Sequence, residues 1–197
     1  MFEDLHNYIY HLNTTGGVPL KGTGIVVGLA LIIAHVFALL KKKEVQSFLK
    51  AFPRDYKWGV ILLSIDFVWA MMAMTYMDMG EFYTLRTTFL MIIPVSFVLV
   101  LIYVREFLAV RALGSLMLLI SGVVLAAAFL QPQTSRLLIP ILAYAAWVIP
   151  GMYFVGMPFL MRDAVTWVTA NDGRWKAASL AGAIYGAVLL AAAVLWY

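Results

Sequence analysis

Six long apolar stretches alternate with short polar connections along this chain, at 22–40, 59–77, 87–104, 112–130, 137–161 and 177–196. Each is close to the ~20 residues that carry an α-helix across ~30 Å of hydrocarbon. The pattern predicts an all-α, polytopic membrane protein, a single bundle of six transmembrane helices. Ahead of it, Phe2, Leu5, Ile9 and Leu12 recur at near-helical spacing with polar groups between them. That predicts a short amphipathic helix on the outer surface within 1–21, ended by Asn13-Thr14-Thr15-Gly16-Gly17. The connection KKKEVQSFLKAFPRDYKW sets Val45, Phe48, Leu49 and Phe52 on one helical face among lysines, and Pro53 ends it. Such a segment rests on anionic lipid or serves as an ordinary basic loop.

Composition agrees with the pattern. Of 197 residues 64% are hydrophobic and 12% charged, with a mean hydropathy of +0.93. A soluble domain carries roughly 25% charged residues, so a soluble monomer is excluded. The connections are too short to hold a second domain, and 1–197 reads as one unit.

The net charge of +4 does not point to nucleic acid, because the cations are sorted. Lys41, Lys42, Lys43, Lys50, Arg54 and Lys57 precede the second span, Arg105 and Arg111 precede the fourth, and Arg162, Arg174 and Lys176 precede the sixth. The other side has only Lys21, Arg86 and Arg136. Positive residues collect on the cytoplasmic side. This distribution predicts a multi-pass protein of the plasma or inner membrane with both termini external (periplasmic in a bacterium). The expected partners are the lipid bilayer, anionic lipid at 41–58, and either further copies of the chain or a larger membrane complex.

Residues Met1–Leu12 lack a positive segment and carry Glu3 and Asp4, which argues against a signal peptide. There is no cysteine, so thiolate clusters, disulfides and cysteine nucleophiles are excluded. Neither an HExxH, a GxSxG nor a phosphate loop occurs, and only one histidine lies at membrane depth, too few for a bis-histidine haem. No enzyme activity and no cofactor are expected. The methionines of MMAMTYMDM are soft donors suited to Cu(I). Without cysteine or a nearby histidine they read as packing residues, and no metal site is assigned.

Inside the six spans the only acidic or basic side chains are His35 and Asp66. His35 lies six residues before Lys41 and Asp66 seven after Gly59, so both sit roughly 9–11 Å below the same surface at ~1.5 Å rise per residue. A charge in hydrocarbon costs at least ~2.5–3.5 kcal/mol and usually faces a partner or a cavity. Contact between the two is therefore expected, directly or through one water, either as a structural tie or as a working site. Depth counting sets Ser96, Ser121, Tyr153 and Tyr185 in the same layer. Span five carries Pro140, Pro150 and Pro158, with Gly151 and Gly156, and should bend near Pro150 and Gly151. Gly24 and Gly28 in span one, and Ala178, Gly182 and Gly186 in span six, allow close helix approach, within one bundle or between copies.

Two functions follow as expectations. The first is a small-solute or ion permease or channel running between spans one, two and five. Asp66 would titrate or bind a cation, His35, Tyr153 and Tyr185 would contribute to the solute or ion site, and Pro150 and Gly151 would form the hinge. The second is a non-catalytic structural or assembly subunit of a larger membrane complex.

Overall fold

A computed structural model describes residues 2–10, 17–129, 131–132 and 134–197. Among them every regular element is helical: α1 Phe2–Tyr10, α2 Leu20–Leu40, α3 Lys42–Ala51, α4 Tyr56–Tyr76, α5 Arg86–Tyr103, α6 Leu108–Ala128, α7 Leu138–Leu142, α8 Ile149–Gly156, α9 Phe159–Thr169 and α10 Asp172–Leu195. A π-helical turn, Ala143–Val148, joins α7 to α8. Six segments are long and apolar enough to cross a membrane: α2, α4, α5 with the turn before it, α6, the run from Thr134 to Gly156, and α10. The turn expected at Asn13–Gly17 lies, apart from Gly17, outside the described residues.

Local chemistry sets the helix ends. The Asp55 carboxylate accepts from the amides of Lys57 and Trp58 at 2.9 and 3.3 Å, so α4 starts three residues earlier than hydropathy alone implies. Asn171 accepts from the Gly173 amide at 2.7 Å and starts α10 at Asp172. Span five ends at Gly156 and not at 161, because Met157 precedes Pro158, which disfavours the helical region, and takes a non-helical conformation (φ −129°, ψ 69°). The residues beyond form a separate helix, α9, which buries Met161 and Val165.

The most extensive helix pair is α2 with α10, running antiparallel. A Cβ added at Gly28 would lie 3.0 Å from the Gly186 carbonyl oxygen, and one at Gly24 would lie 2.7 Å from the Ala193 Cβ. The small-residue faces of spans one and six thus face each other within the chain. Helix α6 is central, packing on α4, on span five and on α2. Gly59 of α4 fits against Leu108 and Ala109, and Gly114 of α6 against Gly151 of α8. Helix α5 has no buried residue and leans mainly on α4, through stacked Phe67 and Phe97 rings at 4.6 Å and a Tyr56 hydroxyl donating to the Leu101 carbonyl at 3.2 Å.

Two apolar cores result. One joins Leu20 and Val27 to Val124, Ile139, Ala143 and Leu189. The other, at the basic end of the bundle, joins Phe52, Ala109, Val110, Met161 and Val165. There α3 rests on α9 and on the turn Phe52–Arg54, and Lys42 pairs with Asp172. The first helix forms within the segment where an amphipathic helix is expected. It lies against α4, with His6 buried beside Tyr10 and Tyr76 and the Trp69 indole donating to the Tyr10 hydroxyl at 2.7 Å. An indole N–H inside an apolar layer needs an acceptor, and α1 supplies one.

Candidate functional site: a groove around Asp66

Asp66 is 6% exposed, and neither of its carboxylate oxygens has a hydrogen-bond partner among the described residues. It faces a groove of about 510 Å³ formed by α4, α5, α6 and α8. Phe67, Ala70, Phe97, Leu118 and Val155 line much of it, and its only hydroxyls are those of Ser96 and Ser115. Asp66 is the sole acidic or basic side chain on the wall. A volume in the range of ~300–1,000 Å³, apolar walls and a few polar groups are the usual make-up of a small-molecule site.

The walls are held from outside the groove. Arg111, at the start of α6, donates to the Val155 carbonyl near the end of α8 at 2.6 Å. A cation there satisfies a carbonyl that has no partner within its helix. Gly114 and Gly151 bring the same two helices together, since a Cβ at Gly114 would lie 2.7 Å from the Gly151 carbonyl oxygen. The Ser115 hydroxyl donates to the Arg111 carbonyl at 3.2 Å, which leaves its oxygen free to accept. On the fourth side stands α5, held chiefly by its stack on α4.

The other residues singled out from the sequence lie elsewhere. No direct hydrogen bond joins His35 to Asp66. The His35 ring bonds through Nδ1 to the Leu31 carbonyl at 2.8 Å and packs on Gly182, where a Cβ would fall 2.1 Å from Nε2. Span one thus turns its histidine toward span six, while span two turns Asp66 toward spans three and four. Tyr185 donates to the Leu138 carbonyl at 2.6 Å and ties α10 to span five. Tyr153 lies on an exposed face, and Ser121 is buried and donates to Leu118 within α6. Of the expected layer, Asp66 and Ser96 share the groove.

Ser115 takes the place expected for Ser121 because of register. Gly59 sits opposite Leu108, so Asp66, seven residues on, is level with Ser115, seven after Leu108. Depth counted from the ends of apolar stretches cannot register this offset, whereas pairing the two helices through Gly59 does.

The π-helical turn lies just before Pro150, with the Ile149 amide donating to the Tyr144 carbonyl. Proline has no N–H for the carbonyl four residues back, and its ring crowds that carbonyl. A locally widened turn relieves both. Gly151, on the other side of Pro150, is in tight contact with Gly114 and Leu118.

The six spans mark this chain as a multi-pass helical membrane protein. Comparison with known protein families, with curated proteins and with solved structures finds no match.

Proposed function

We propose that this protein is a small-solute or ion permease whose pathway passes the Asp66 groove, with Asp66 as the titrating or cation-binding group. One observation carries the reading: a buried carboxylate with no partner faces a groove of ligand size. An acidic group kept at membrane depth without a partner is costly to the fold, and chains that retain one generally use it on an ion or solute path. The apolar walls favour a solute with a hydrophobic body and one basic group, or a bare proton or cation. The pathway then runs among spans two, three, four and five, with span one outside it. The π-turn beside Pro150 supplies the flexible element, because backbone groups released from regular helix bonding near the bilayer centre can rearrange as a substrate passes.

The test is flux into liposomes. Asp66→Asn keeps the volume and polarity of the side chain but removes its charge. It should fold and reconstitute like the wild type, yet lose proton- or cation-dependent flux at least tenfold. Equal flux from both proteins would defeat the proposal.

The same reading sets the basic end of the bundle in the cytoplasm of a plasma or inner membrane, with both termini outside. Reporters fused after Tyr197 and within 131–136 should both read as external, and one within 44–52 as cytoplasmic. A cytoplasmic carboxyl terminus would break this topology.

The position of α5 favours a second reading. A span with no buried residue and one main neighbour is a natural docking face for another membrane subunit. Under that reading the protein is a non-catalytic assembly subunit. Native mass spectrometry of the complex extracted from its own membrane should then show a second chain, bound through α5.

A further inference from the structure

At the basic end a second cavity, about 390 Å³, is lined by Arg54, Arg105, Glu106, Phe107 and Arg162. Three guanidinium groups face one carboxylate, and they come from three separate parts of the chain: the turn Phe52–Arg54, the α5–α6 connection and α9. We propose that this cavity binds a phosphate-bearing anion, supplied either by a phospholipid headgroup or by a soluble phosphate.

The convergence has a structural cause. Each arginine lies close in sequence to a residue of the same buried core: Arg54 follows Phe52 and Pro53, Arg105 shortly precedes Ala109 and Val110, and Arg162 follows Met161. Packing of those apolar anchors brings the arginines to one rim. The rim keeps an excess of positive charge, three guanidiniums against the carboxylates of Glu106 and Asp163. The side chains of Arg54, Arg105 and Glu106 make no hydrogen bond or ion pair among the described residues. Arg162 bonds one oxygen of Asp163 through Nε and Nη2 at 3.0 and 2.9 Å, so its other terminal nitrogen is uncommitted. Arginines needed only for topology would be as effective splayed into water as gathered round a hollow.

The connection between them is strained. Phe107 has φ 57° and ψ 26°, the left-handed region, where a bulky side chain is an outlier. Residues held in such conformations collect at ligand clamps and switch regions. Phe107 also begins α6 without a side-chain cap, so the positive end of that helix adds to the field at the rim. Guanidinium groups are planar forks that match phosphate oxygens in pairs, which explains arginine at all three positions where lysine would satisfy topology alone. Basic pockets at the ends of membrane helices bind anionic headgroups in this way.

The experiment measures thermal stabilisation of the purified full chain in detergent by two probes, a short-chain phosphatidylglycerol and inorganic phosphate, with short-chain phosphatidylcholine as the neutral control. The wild type should respond saturably to phosphatidylglycerol, to phosphate, or to both. A response to phosphate alone identifies a soluble ligand. A response to the lipid alone identifies a headgroup. The variant R54Q/R105Q/R162Q should bind the effective probe at least tenfold more weakly. An equally neutralised variant outside the cavity, K43Q/K50Q/K57Q, should bind it as the wild type does. Glu106→Gln removes the carboxylate that lines the cavity and should bind more tightly, a gain that misfolding cannot mimic. Equal losses in the two triple variants would reduce the effect to net charge and overturn the proposal. So would a wild type that responds to neither probe.

Discussion

Leucine in place of Gly186 should prevent α2 and α10 from closing to their observed separation, and should unfold the protein at a markedly lower temperature. A Cβ at this position would lie 2.9 Å from the Gly28 carbonyl oxygen and 2.9 Å from the Leu31 Cβ. The first of these is backbone, so the helix itself must move. Overfilling a packed core costs about 1–3 kcal/mol. A leucine here is at the upper end, because this contact is the largest between any two spans and no side chain can rotate out of its way. Gly28→Leu should act alike, since its Cβ would meet the Gly186 carbonyl and the Leu190 amide at 3.0 Å. The two substitutions together should cost less than their sum, because once the helices have parted the second side chain meets little resistance. Gly122→Ala is the control. Its Cβ would meet nothing within 4 Å, so the change should be neutral or stabilise by up to ~1 kcal/mol through helix propensity. Unfolding monitored by circular dichroism in detergent reads all four. If Gly186→Leu and Gly122→Ala unfold together, the close approach of α2 and α10 does not exist.

Much of this architecture was legible in the sequence, and the part that was not has a definite character. Span number follows from hydropathy because an unbroken run of some twenty apolar residues has few alternatives in water or lipid. Span ends shift wherever a polar residue stabilises a helix without lying in hydrocarbon, as Asp55 and Asn171 do. Which faces meet is harder, because a helix apolar all round carries no amphipathic signal to orient it. Residue counting puts His35 and Asp66 at similar depth, yet adjacency in the chain did not make their helices the closest pair. The stronger attraction was between the glycine faces of spans one and six. Those glycines were visible as GxxxG-type spacing, and pairing Gly28 with Gly186 before pairing the polar residues would have directed His35 toward Gly182. Asp66 itself is legible without the fold, since a lone acid in an apolar run stands out at any register. Its neighbours Ser115, Leu118 and Val155 needed the helix offsets that only the folded chain supplies.

Asp66→Leu should make the protein more stable, which inverts what contact with His35 would require. Had the two side chains been bonded, leucine would have left the imidazole without its partner and lowered stability. His35 instead bonds to Leu31 within its own helix and packs on Gly182. Asp66 therefore gives the fold nothing that leucine lacks, and both of its buried oxygens lack a hydrogen-bond partner. Burying a polar group without a hydrogen bond costs about 1–3 kcal/mol in proteins. Removing it, while filling the groove beside Leu63, Phe67 and Leu118 with a side chain of like character, should recover a gain of that order. Asp66→Asn should sit near the wild type, because its amide is equally unpartnered. A double-mutant cycle with His35→Leu should show a coupling below ~0.5 kcal/mol, the additivity expected of sites that share no partner. Thermal unfolding of the four proteins in one detergent decides the matter. A destabilised Asp66→Leu, or a coupling well above that figure, would mean that the carboxylate has a structural partner. A stabilised variant without flux would mark a residue held against the interest of the fold, as a site of action should be.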